Sequence, residues 1–152
     1  MNFPLDFYTQ YSQFYLADKF SEKNTQGDFW NENAHGDRLA INEGIIGVGT
    51  ECYGPIKGEL NILKGRNITV DFAKYDHVVE GSIEIKSGTL QILDCPNSEI
   101  QLEIKLSPGW HTVRISSENL NSVDGDEGDD YYMIEIWPEA KIERNVLKRF
   151  NS

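Results

Sequence analysis

Five carboxylates crowd into the seven residues Asp124-Gly125-Asp126-Glu127-Gly128-Asp129-Asp130. Carboxylates at that density suit one of three tasks: holding a hard cation, docking a cationic surface, or solvating a loop. The cation reading is the most demanding. A calcium loop of the EF-hand type wants an oxygen ligand at its fifth position, Gly at its sixth and Glu at its twelfth. Counted from Asp124, Glu135 does stand twelfth, but the fifth and sixth places hold Gly128 and Asp129, the reverse of the requirement. The flanks also read as strands, so no metal site is assigned. A docking surface and a solvated loop both stay open, since blocks of like charge serve as either.

Other side chains that do chemistry are scattered. His35, His77 and His111 form no pair at metal-ligand spacing with one another or with Cys52 and Cys95. The two cysteines sit beside apolar strand-like residues and read as buried free thiols. No Ser stands in a G-x-S-x-G elbow. The run Gly44-Ile45-Ile46-Gly47-Val48-Gly49 lacks the Gly-Lys-Ser/Thr ending of a phosphate loop, and glycines that thin a crowded strand explain it better. Glu80 with Glu84, and Glu99 with Glu103, are spaced like acid pairs on an exposed strand face, where they read as solvating side chains. Asn67-Ile68-Thr69 fits a glycosylation acceptor by chance. No catalytic residue and no cofactor is therefore assigned, and the chain reads as a non-enzyme. The competing class is a hydrolase built on two carboxylates distant in sequence.

Charge narrows the partners. The 152 residues carry 25 acids against 14 bases, a formal net charge of −11. Nucleic acids and anionic membranes are bound through Lys and Arg, so neither is an expected direct partner. The excess is local. Residues 115–140 hold eight acids and no Lys or Arg, whereas 141–152 hold four bases and one acid. Such a field draws a cationic protein surface. No apolar run is long enough to span a bilayer, and the start has no basic segment followed by an apolar stretch, so a cytoplasmic protein is expected.

The elements that must position these groups are strands. Ile and Val together outnumber Ala more than fourfold, a bias toward pleated surfaces. Strand signals fall at 8–17, 39–41, 45–52, 56–63, 68–72, 77–85, 90–93, 100–106, 110–116 and 130–137. The cleanest is Ile100, Leu102, Ile104 and Leu106, alternating with polar residues. Residues 18–37 form a long polar loop pinned into the core by Phe29-Trp30, and 117–130 form the acidic loop. Ile142, Val146, Leu147 and Phe150 suggest a helical face, so a short helix is expected over 139–150. The expectation is one domain over 1–152: an all-β, antiparallel β-sandwich of about eight to ten strands with a short C-terminal helix.

Several of these segments resemble competence protein J, a bacterial family of nuclease inhibitors, and more loosely the small acidic immunity proteins that neutralise nuclease toxins. The similar residues are Tyr11-Ser12-Gln13-Phe14, Trp30 ahead of a loop, and Gly44 before the apolar strand 45–48. Leu106-Ser107-Pro108-Gly109 leading into 110–115, and Tyr132-Met133-Ile134, complete the set. The similarity runs over most of residues 5–137, with the acidic loop and the terminal helix as additions. It implies a protein that binds and blocks a basic nuclease. The charge pattern independently suits a groove built for phosphates. The expected partner-binding residues are Asp124, Asp126, Glu127, Asp129 and Asp130, with Tyr131 as aromatic anchor and Trp30 as second anchor. A different class, a carbohydrate- or small-ligand-binding sandwich, would present Trp30, Trp110 or Trp137 to sugar rings. Core packing is the commoner use of Trp.

Overall fold

The structure is a computed structural model and describes residues 1–151. Alternating apolar residues build two sheets. The first has six strands in the order β1 (Asn2–Tyr8), β5 (Pro55–Ile62), β10 (Tyr131–Pro138), β9 (Gly109–Glu118), β6 (His77–Ile85) and β11 (Asn145–Lys148). The second has five: β3 (Leu39–Asn42), β4 (Ile45–Gly49), β2 (Gln13–Asp18), β7 (Thr89–Leu93) and β8 (Ile100–Lys105). Neighbours pair antiparallel except β5 and β10, which run parallel. The chain is all-β, with one six-residue helix, α1 (Glu32–Asp37), capped by the Asn31 side chain accepting from the Ala34 N–H.

The sheets pack face to face. Phe14, Leu16, Ile46 and Ile92 of the second sheet meet Leu60, Val79, Val113 and Ile134 of the first in one apolar cluster. A second, smaller cluster lies on the outer face of the five-stranded sheet. There Phe29 and Ala34 of the 19–37 segment cover Tyr15, Ala17, Ala40 and Ile45. The Phe29-Trp30 pin therefore holds, though it enters this outer cluster and not the space between the sheets. Gly47 explains the glycine-rich run: a Cβ there would stand 2.7 Å from the Trp30 ring and 2.9 Å from Phe29.

Four expectations are corrected. Residues 8–17 are not one strand; β1 ends at Tyr8 and β2 begins at Gln13, with a tight turn between. Residues 68–72 form no strand and cross the outer face of the six-stranded sheet as loop, leaving Ile68 exposed. The C-terminal helix does not form. β11 instead pairs antiparallel with the edge of β6, because backbone groups on an unpaired edge reward a strand and an isolated helix of that length is marginal. Arg144 and Arg149 fix the segment further through Asp37, at 2.7 and 2.6 Å. Finally, Glu80 is not solvating: it is 2% exposed, accepting from Arg114 Nε at 2.7 Å and Arg66 Nη1 at 3.0 Å.

Candidate protein-docking surface

The acidic segment is shorter and more ordered than a free loop. β9 continues to Glu118, a single 3-10 turn spans Leu120–Ser122, and Asp124 and Glu127 pair as a miniature hairpin. Its two backbone bonds are 2.7 and 3.0 Å, and Gly125 at its tip has φ +63°. Glycine takes that left-handed conformation without a steric penalty. Asp124, Asp126, Glu127 and Asp129 are exposed, and among the described residues none has a side-chain hydrogen bond or ion pair. Nothing neutralises them within the fold.

Asp130 differs. It is 6% exposed and accepts a hydrogen bond from the Tyr132 hydroxyl at 2.6 Å, while that hydroxyl accepts from the Glu51 N–H at 2.9 Å. Burial, then the carboxylate beside it, push the Tyr132 hydroxyl well above the usual tyrosine range. Asp130 thus ties the hairpin to the sheet. Tyr131 points away from Tyr132, as alternation requires. It lies half-buried on the outer face of the six-stranded sheet with its hydroxyl donating to Glu59 Oε1 at 3.0 Å. Burial and the Glu59 carboxylate both raise its pKa.

Other aromatics stand against the hairpin, and sequence reasoning missed them. The Tyr53 N–H donates to Gly125 O at 3.1 Å, and the Tyr53 carbonyl accepts from the Ser12 N–H at 3.0 Å. The Tyr11 and Tyr53 rings meet edge to face, 5.7 Å between centroids. Gly54 sits between Tyr8 and the hairpin: a Cβ there would stand 3.4 Å from Asp126 Oδ1 and 3.6 Å from Tyr8 Cδ1. Tyr8, Tyr11 and Tyr53 are 74, 57 and 42% exposed. Their only signal in sequence is type, since nothing local tells an exposed Tyr from a core one.

Trp30 is half-buried, 5.7 Å from Phe29 and 5.2 Å from His35 between ring centroids. It lines an open cleft of about 240 Å³ together with Tyr11, Arg38, Thr50 and Glu51. Tyr11 therefore joins this cleft to the acidic hairpin. A larger cleft of about 750 Å³ opens elsewhere between the sheets, with Phe20, Ile41, Ile83 and Trp110 in its walls. Of the three tryptophans offered as sugar platforms, Trp137 is fully buried with the Arg66 and Arg114 guanidinium groups 5.1 and 5.0 Å from its ring. Trp110 is partly exposed but has Lys141 Nζ 5.1 Å from its ring centre. Cys52 and Cys95 are buried free thiols, and burial raises the Cys52 pKa. Among the described residues no group of three or more His, Cys, Asp or Glu is placed to hold a metal, and no helix is long and apolar enough to cross a membrane.

No protein-family model and no curated sequence matches this chain. Its structure matches that of ComJ, the inhibitor of the DNA-degrading activity of NucA from Bacillus subtilis. The TM-score is 0.69 at 16% identity, covering 90% of this chain and 96% of ComJ. The fold is that of ComJ. A second structure, the product of crocagin biosynthetic gene J, superposes with a TM-score of 0.61 at 15% identity, covering 92% of this chain and 98% of that one. At such identities the ComJ likeness carries the arrangement of strands and no side-chain roles.

Proposed function

We propose that this chain is an inhibitor that binds and blocks a basic nuclease, a toxin made by the same cell being the natural target, inside the cytoplasm. It has no chemistry of its own. Its carboxylates take the place of phosphates in the target's groove. The observation that carries the reading is the hairpin with Asp124, Asp126, Glu127 and Asp129, all exposed and uncompensated within the fold. A nuclease groove must attract a polyanion, so it presents cationic side chains. Complementary fields lift association from ~10⁵–10⁶ toward ~10⁸–10⁹ M⁻¹s⁻¹ at low salt. That suits a protein that must reach a nuclease before it cuts. ComJ lends support because an inhibitor of a nuclease is built on the same fold.

The test is direct. The purified chain is titrated into a panel of basic DNases and RNases that includes NucA and the nuclease encoded nearest this gene, and degradation of DNA or RNA is followed. Stoichiometric inhibition of at least one nuclease, relieved by high salt, is the expected result. A folded chain that slows none of them would refute the reading.

A further inference from the structure

Charge steers a complex together but leaves it salt-labile, and tight inhibition needs a desolvated anchor. The anchor expected from sequence, Tyr131, already spends its hydroxyl on Glu59 away from the hairpin tip. The aromatic surface beside the carboxylates is a different one. Tyr8, Tyr11 and Tyr53 are the exposed aromatics around Gly54 and Gly125, and their hydroxyls have no hydrogen-bond partner among the described residues.

Tyr11 is also held in a conformation its type disfavours. Gln10 and Gln13 pair across a two-residue turn whose central residues, Tyr11 and Ser12, have φ of +62° and +55°. Two consecutive positive φ values are the pattern for which Asn-Gly is the favoured sequence, because a Cβ is penalised there. Tyr-Ser in that place runs against local preference, and residues that break a local rule gather at functional sites. The turn is tied on both sides by backbone hydrogen bonds. The Ser12 N–H donates to Tyr53 O, and the Ser12 carbonyl accepts from the Thr50 N–H at 2.9 Å. The result is a preorganised tyrosine on the rim of the 240 Å³ cleft, next to Tyr53. Tyrosines of this sort supply large amphipathic contact area at small entropic cost.

We infer that the Tyr11–Tyr53 pair, flanked by Tyr8, is the aromatic anchor of the docking surface, and that its partner is the cationic groove of the nuclease whose basic side chains meet the hairpin carboxylates. Guanidinium and ammonium groups pack on tyrosine faces as well as pairing with carboxylates. One partner surface therefore satisfies both halves of the patch. The inference rests on the inhibitor reading and names the contact that makes it tight.

The experiment replaces the turn by its preferred sequence, Tyr11→Asn with Ser12→Gly, in the full chain. It measures melting temperature, and affinity for whichever nuclease of the panel the wild type inhibits. Tyr53→Ser and Tyr131→Phe serve as companions. The turn variant is expected to melt about 2 °C or more above wild type while binding about tenfold or more weakly. Tyr53→Ser should weaken binding similarly, and Tyr131→Phe should leave it unchanged. If the turn variant and Tyr53→Ser bind as wild type while neutralising the hairpin acids still weakens the complex, the anchor is wrong and the inhibitor reading stands. If the wild type inhibits no nuclease, both fall.

Discussion

Two charged regions of this molecule are built on opposite plans. On the outer face of the six-stranded sheet, Arg66 links Glu80 and Glu139, Arg114 links Glu80 and Glu135, and both guanidinium groups approach Trp137. Thr112 and Asn67 add hydrogen bonds to Glu139 and Glu135 at 2.7 and 2.8 Å. Charge there is paired and withdrawn from water, fully so at Glu80 and Arg114 and in part at Arg66 and Glu139, and it fastens the 64–76 loop and the segment after β10 to the sheet. At the acidic hairpin four carboxylates point outward and none is matched. Charges that the fold uses are paired with one another; charges left unmatched by the fold are free for a partner.

The comparison breaks first where a paired charge is removed. Arg114→Met strips the buried Glu80 carboxylate of its closest partner and should cost about 3–5 kcal/mol in denaturant unfolding. The double variant with Glu80→Met should recover much of that loss. A cost under about 1 kcal/mol would mean the network is ornamental. Next comes the strut between hairpin and sheet. Tyr132→Phe leaves Asp130 and the Glu51 N–H unpaired, for a loss of about 1–3 kcal/mol.

Acid sharpens the contrast further. Burial lowers the pKa of His77 and of His111. His77 is also fixed as a neutral ring, with Nδ1 accepting from the Phe150 N–H at 3.1 Å and Nε2 facing Asp37 O at 2.8 Å. An unfolded histidine titrates near pH 6.5. Below that value the unfolded chain binds protons that the folded chain refuses, so stability is full above it and declines toward pH 5. The Arg66 guanidinium holds the Glu139 carboxyl down at about 2. Its contribution is present above the unfolded carboxylate range near 4.3 and is lost as the pH falls toward 2. A melting temperature that is flat from pH 8 to 7, sloping by pH 5 and steeper below 4 is the expected profile. His77→Gln should flatten the upper slope. A melting temperature that rises on acidification to pH 5 would contradict the histidine assignment.

The smallest effect on the fold is expected at the hairpin. Converting Asp124, Asp126, Glu127 and Asp129 to their amides removes no internal partner and relieves repulsion, so stability should change by no more than about 0.5 kcal/mol. A loss above about 1 kcal/mol would place these carboxylates among the structural charges.

Much of the sandwich was legible because alternation is a local signal. The β6 face of Val79, Ile83 and Ile85 and the buried Ile134 and Ile136 of β10 follow from period two. What was not legible depends on distant residues. Glu80 looks solvent-facing until Arg66 and Arg114, 14 and 34 residues away, close over it. The 142–150 spacing suits a helix, and only the open edge of β6 turns it into a strand. The Tyr11-Ser12 turn carries no Gly, Asn or Pro, so 8–17 read as continuous strand and hid the turn that presents Tyr11 to Tyr53. The acidic half of the docking surface was visible as composition. The tyrosine half was not, because Tyr8, Tyr11 and Tyr53 converge only through the β1–β5 pairing and the bonds of the 50–54 loop.

The central claim is that unmatched hairpin charge captures a basic nuclease, and one kinetic measurement meets it head-on. Association and dissociation rates of the chain with an inhibited nuclease are recorded from low to high salt, for wild type and for the variant with Asp124, Asp126, Glu127 and Asp129 replaced by amides. The account predicts that wild-type association slows steeply with salt, and that the variant associates about tenfold or more slowly at low salt with a flattened salt dependence. Equal association rates and equal salt dependence for the two proteins would contradict it.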